Sequence, residues 1–203
     1  MINAIVFDFG GVLMRTVDPI GRQEWEARLN LHPGELERVV HGSSFAAQAQ
    51  AGIITAEDYW HWVAETLGIQ ESEIPVLRHD FFRDDRLDLD LIALIDNLRK
   101  KGYKVGLLSN DTTQLEVKLR DELNIYDKFD AVMISARSGI MKPALGAYKA
   151  IADALNVSCE SCVFIDDNLD NVEGARKVGM QVIHYRAGLN VQAALEPILK
   201  VNA

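Results

Sequence analysis

Cysteine is scarce in this chain, with 2 in 203 residues, so no disulfide framework of the kind that staples small secreted domains can be drawn. The pair, Cys159 and Cys162, forms a C-x-x-C in "VSCESCVF". A zinc site would want a second such pair, and a redox motif would want a helix opening at the first cysteine, whereas this pair leads into an apolar run. Cys162 therefore reads as a small core residue. Proline is sparse as well, and there is no internal repeat or low-complexity tract. No apolar run approaches the ~18 residues of a membrane span. The N-terminus has no basic region and its apolar run is broken by Asp8, which argues against a signal peptide. Positive charge is also in short supply: 21 basic residues against 30 acidic ones leave a net charge of −9, which repels polyphosphate backbones and anionic membranes. Neither nucleic acid nor membrane is expected as a partner, and the cytoplasm is the expected location.

What is present is an apolar fraction of 48%, ample for a packed interior in a chain of this length. From residue 88 onward, short apolar runs alternate with amphipathic stretches. "KVGLLS" (104 to 109), "AVMIS" (131 to 135), "CVFID" (162 to 166) and "QVIHY" (181 to 185) are nearly continuous in apolar character, the mark of strands covered on both faces in a parallel sheet. The intervening stretches carry helix punctuation. "DLDLIALIDNLRKKG" ends at Gly102 behind basic residues, "DTTQLEVKLRDEL" sets Asp111 three residues before Gln114 in capping-box spacing, and "NLDNVEGARKVGM" opens at Asn168 and breaks at Gly179. With "AIVFD" as the first strand, the pattern is a series of βαβ units: an α/β fold with a Rossmann-like parallel sheet.

Residues 15 to 87 depart from that alternation. Five segments there, from "IGRQEWEARLNL" to "ESEIPVLRHDFF", show helical spacing, which predicts a small helical insertion after the first strand. The expected division is a core of residues 1 to 14 and 88 to 203 and an insertion of residues 15 to 87. Aromatics concentrate in the insertion: Trp25, Phe45, Tyr59, Trp60, Trp62, Phe81 and Phe82. Trp60, Val63 and Leu67 fall on one face at helical spacing and read as a core stripe.

In an open parallel sheet, ligands sit beyond the carboxyl ends of the strands. Three strands end there in polar groups: Asp8 on the first, Ser109 and Asn110 in "LLSN", and Asp166 and Asp167 in "FIDD". If those strands are neighbours, the carboxylates converge. Two like charges about 4 Å apart repel by roughly 4 kcal/mol at an effective dielectric of 20, so protons or a cation must be present, and a partly hydrated set of carboxylate oxygens suits Mg2+. Lys142, in "GIMKPALGAY", precedes Pro143, which fits the first position of the next helix and would put an ammonium at the same edge. Ser109 and Asn110 sit before a helix whose N-terminus favours an anion. Each feature alone has a plainer reading as a turn, a cap or a surface lysine; together they make a site for phosphoryl transfer.

"VFDFGGVL", "LLSN", "KP" and "FIDD", in this order, resemble the four motifs of the haloacid dehalogenase-like superfamily, and the helical insertion resembles its C1-type cap. Within it, the chain is similar to the small phosphatases with a four-helix cap, a group that includes glucose-1-phosphate phosphatases and the N-terminal phosphatase domain of soluble epoxide hydrolases. The resemblance implies that Asp8 attacks phosphorus to give an aspartyl-phosphate, Ser109 and Asn110 hold the transferring group, and Lys142 steadies Asp8 and the phosphoryl charge. It further implies magnesium bound by Asp8, the Gly10 carbonyl and Asp167, with Asp166 in or just behind that set.

Gly10 is the departure, because phosphatases of this kind usually carry a second aspartate there as general acid. Either another group supplies the proton, with Asp18 in "MRTVD" the candidate on reach, or the enzyme favours esters whose leaving groups need no help. The expected activity is a magnesium-dependent phosphatase of a small phosphorylated metabolite, sugar phosphates included, in a monomer or homodimer. The alternatives are a non-catalytic phospholigand-binding protein and a metal-independent 2-haloacid dehalogenase. Three uncompensated carboxylates argue against the dehalogenase.

Overall fold

The computed structural model describes residues 1 to 200; the last three residues of the expected core segment lie outside the described residues. In chain order the elements begin with β1 (Ala4–Phe7) and β2 (Met14–Thr16), followed by helices α1 (Ile20–Leu29), α2 (Glu35–Gly42), α3 (Ser44–Gln50), α4 (Ala56–Leu67) and α5 (Ile74–Phe82). Then come β3 (Asp85–Leu87), α6 (Leu89–Lys100), β4 (Lys104–Ser109), α7 (Gln114–Val117), β5 (Ala131–Ile134) and α8 (Ser135–Ser138). The chain closes with α9 (Leu145–Ala154), β6 (Cys162–Asp166), α10 (Leu169–Lys177), β7 (Gln181–His184) and α11 (Val191–Lys200).

The four apolar runs and "AIVFD" form one parallel sheet in the order β5-β4-β1-β6-β7. Alternation of side chains across the pleat splits each strand between two cores. Ile5, Phe7, Val105, Leu107, Val163 and Ile165 face one helical layer, while Ala4, Val6, Leu108 and Phe164 face α9 and its neighbours. Because both faces are covered, polar residues have no place along these strands and appear only where they end. β1 is the switch point, with β4 on one side and β6 on the other, the position at which α/β sheets open a crevice. Phe7 is level with both Leu107 and Ile165, so Asp8, Ser109 and Asp166 emerge along one rim. Cys162 is fully buried at the start of β6, and burial pushes its thiol up to about 12, as a core residue requires. Among the described residues no helix is long and apolar enough to cross a membrane.

Two local expectations are corrected. The helix after β4 does not begin at the "DTT" segment: α7 starts at Gln114 behind Thr113, with no side-chain cap, and the Asp111 carboxylate accepts the Thr112 N–H at 2.7 Å instead. A short acceptor so close to its own backbone bonds the next N–H along the chain rather than capping the helix. Ser109, the last residue of β4, and Asn110 after it therefore stand ahead of the helix and not at its first turn. Likewise Pro143 does not open α9, which begins at Leu145 with Ala144 as N-cap; the Lys142–Pro143 peptide is cis. Asn168 does cap α10, accepting the Asp170 N–H at 2.9 Å.

Helices α1 to α5 enclose a third core built on Trp25, Leu36, Val63, Leu77 and Phe81. On α4, Trp60 and Val63 are buried and Leu67 is half-buried, the stripe the spacing predicts. Thr55 and Asp58 cap this helix reciprocally. Where the insertion meets the sheet, β2 and β3 pair antiparallel, Met14 with Leu87 and Thr16 with Asp85, a ribbon the sequence does not announce. The expected boundaries at 14/15 and 87/88 cut inside β2 and at the end of β3.

Candidate active site

β1 delivers Asp8 to the rim with its N–H still bonded to the Ile165 carbonyl, at 2.9 Å. Its Oδ1 accepts both the Phe9 N–H and the Lys142 ammonium, each at 2.7 Å. The other carboxylate oxygen of Asp8 is left unbonded. Lys142 Nζ also donates to Asp166 Oδ2 at 2.7 Å, with the lysine side chain 1% exposed. Asp166 is saturated: the Asn168 N–H reaches Oδ1 at 2.8 Å and the Asn171 amide lies 3.1 Å from both oxygens. Asp167 is exposed and unpaired by this lysine. Asp8, Asp166 and Asp167 each present an oxygen, and the three lie within 4.8 Å of one another.

Burial pushes the Asp8 carboxyl up to about 7 against the pull of Lys142, and the neighbouring Asp166 adds to the rise. Burial acts to lower the Lys142 ammonium, but the two carboxylates outweigh it and hold its pKa above the ordinary value. Asp167 is raised by burial and then by Asp166. Three carboxylates thus face one ammonium, leaving two negative charges that one divalent ion would balance. The donor set is hard oxygen throughout, which fits magnesium, and the backbone after Asp8 comes close to the Asp167 carboxylate.

That approach depends on Gly11. Its φ is +80°, and a Cβ there would overlap the Asp167 carboxylate, so no larger residue fits. Gly10 is different: its Cβ would meet nothing within 4 Å and its φ is not positive. The first glycine is therefore not imposed by the turn.

Ser109 is buried at the end of β4 and its hydroxyl carries no hydrogen bond among the described residues, so it is free for a ligand. Asn110 is partly engaged. Its Nδ2 donates to the Lys142 carbonyl and its Oδ1 accepts the Lys142 N–H, both at 2.8 Å. The amide clamps the backbone that carries the lysine, using its oxygen and one of its two N–H groups. One carboxylate oxygen of Asp18 accepts the Ile20 N–H at 3.0 Å.

Two residues went unread in the sequence. Asn171, one turn into α10, fixes Asp166. His184 ends β7 level with Asp166, and its Nε2 lies 2.9 Å from the Asp167 carbonyl, holding the neighbouring backbone. The spacing in "DDNLDN" and the polar end of "QVIH" were the available signals.

The model of the haloacid dehalogenase-like hydrolases matches residues 2–179. A sesquiterpene phosphatase of Aspergillus oryzae, AstK, is 29% identical over 187 residues, covering 92% of this chain and 91% of its own. The phosphatase MT3486 of Mycobacterium tuberculosis is 40% identical over 112 residues, covering 49% of this chain and 51% of its own, so the match spans about half of that relative. Among solved structures, a haloacid dehalogenase family enzyme of Bacteroides thetaiotaomicron, an Asp-to-Ala mutant in complex with magnesium and inorganic phosphate, superposes with a TM-score of 0.77 at 20% identity, covering 96% of this chain and 99% of that one. A match over most of the length, joined to this rim of acids on a parallel sheet, makes the chain a member of the haloacid dehalogenase-like hydrolases.

Proposed function

We propose that this hydrolase is a magnesium-dependent phosphatase of small phosphorylated metabolites, with residues 1 to 14 and 88 to 203 as its catalytic core and residues 15 to 87 as a cap. The phosphatase names of its relatives support the reaction class. The observation that carries the reading is the meeting of three carboxylate oxygens within 4.8 Å, two of them held on one buried ammonium.

Asp8 acts as nucleophile through the oxygen left free when Oδ1 is held by Phe9 and Lys142. It forms a bond to phosphorus while the ester P–O bond breaks, and the alcohol leaves as an oxyanion that takes its proton from solvent. Water then attacks phosphorus and the Asp8–phosphoryl bond breaks, returning the carboxylate and inorganic phosphate. The Ser109 hydroxyl donates to a phosphoryl oxygen, and Lys142 offsets charge on Asp8 and on the phosphoryl group. Asn110 and Asn171 act one step back, fixing Lys142 and Asp166. Asp8, Asp167 and the Gly10 carbonyl would hold magnesium, with Asp166 directly behind; the ion when bound supplies positive charge to the phosphoryl oxygens. The helical insertion would exclude bulk water on closing.

Hydrolysis of p-nitrophenyl phosphate tests this. Activity is expected to require added magnesium, to stop with EDTA and to vanish in Asp8→Asn; residual magnesium-dependent turnover in a folded Asp8→Asn would refute the nucleophile. Gly10 favours one other reading, a phospholigand-binding protein without turnover, which the same assay separates by giving no product from the wild type.

A further inference from the structure

Ser135 takes no part in the site as derived above, yet it is a buried polar residue, 2% exposed, at the junction of three segments. It follows β5 directly and begins α8. Its Oγ donates to the Gln50 carbonyl at the end of α3, at 2.6 Å, and accepts the Asp111 N–H at 3.0 Å. Among the described residues this is the one hydrogen bond that joins residues 20–82 to residues 88–200. The contact is close on the backbone as well: Gly52 has φ +72°, and a Cβ there would overlap the Ala136 carbonyl oxygen. The insertion therefore rests on Ser135 and Ala136 through Gln50 and Gly52.

On the other side of Ser135 lies the segment that follows β4. Asp111 follows Asn110, whose amide clamps the Lys142 backbone, and Lys142 in turn holds Asp8 and Asp166. The Asp111 carbonyl accepts the Ala136 N–H at 3.2 Å and lies 3.3 Å from Ser135 Oγ. The hydroxyl has a single proton and two acceptors within reach. With the insertion docked, the shorter bond to Gln50 takes that proton and leaves a lone pair on the Asp111 N–H. With the insertion away, the Asp111 carbonyl is the acceptor that remains, in competition with Ala136.

We propose that Ser135 is a positioning residue whose hydroxyl registers docking of the helical insertion at Gln50 and sets the Ser109–Asp111 loop to match. This rests on the phosphatase reading for its kinetic part only. Ser135→Ala, which removes this bond, is expected to lower kcat roughly 5-fold, with KM for p-nitrophenyl phosphate changed less than kcat.

Hydrogen exchange on the full chain is the readout independent of turnover. Ser135→Ala is expected to speed exchange both in residues 104–115 and in residues 44–54. Gly52→Ala, which disturbs the contact from the insertion side with Ser135 intact, is expected to speed exchange in residues 104–115 too. Exchange there unchanged in Gly52→Ala, or a kcat unchanged in Ser135→Ala, would overturn the proposal. A wild type without turnover would sink the phosphatase reading, and the exchange data would still decide the coupling.

Discussion

Asp8 and Gly10 divide the first motif into a part that is complete and a part that is missing. Asp8 has the ammonium, the backbone donor and the carboxylate neighbours a phosphoryl-transfer nucleophile needs. Two residues on, Gly10 has no side chain to protonate the leaving oxygen, and one oxygen of Asp18 accepts the Ile20 N–H. Without a general acid, the rate is expected to fall steeply as leaving-group pKa rises across a series of aryl and alkyl phosphates. Gly10→Asp is the complementary test, because position 10 is open and its φ is ordinary. A carboxylic acid there is expected to raise turnover of alkyl phosphates by ~10² or more and to flatten the series. A folded Gly10→Asp with an unchanged slope would show that the proton comes from elsewhere.

At the scale of elements, the site is assembled by close packing of α9 on α10. A Cβ on Gly174 would come 2.7 Å from the Tyr148 hydroxyl and 2.9 Å from the Pro143 carbonyl, and Tyr148 donates to the Asn171 carbonyl at 2.8 Å. Gly174→Ala is therefore expected to cost about 1–3 kcal/mol of stability by overpacking, read from urea unfolding, and to lower activity by displacing the Lys142–Pro143 segment from Asp166. Activity and stability both unchanged would contradict the packing role. The five strands of the sheet and their acidic ends were legible in the sequence, because a strand covered on both faces leaves polar groups only at its end. The β2–β3 ribbon was not: three residues carry no periodicity, and the partners of Met14, Arg15 and Thr16 lie some seventy positions away. Pro143 misled, and the clamp made by Asn110 went unread, for a related reason. Side chains at loop positions bond to whatever the tertiary fold sets beside them, and local spacing says nothing of Lys142 next to Asn110.

For the whole molecule, the buried carboxyls link stability to pH and to metal. Asp8 is raised from 3.8 to about 7 and Asp111, also by burial, from 3.8 to about 6. Between the unfolded and folded values the native state binds more protons than the unfolded chain, so stability falls as pH rises through this window. The thermal midpoint of metal-free protein is expected to be higher near pH 5 than near pH 8, and magnesium, binding the native state, is expected to raise it at the higher pH. A midpoint that climbs with pH across this range in EDTA would contradict that coupling. The most direct test is acid quenching during magnesium-supported turnover of p-nitrophenyl phosphate, followed by peptide mass mapping. The expected result is a hydroxylamine-sensitive phosphoryl group on Asp8, absent without magnesium and absent in Asp8→Asn. Product formation with no phosphorylated Asp8 at any quench time, or phosphate found on another residue, would contradict it.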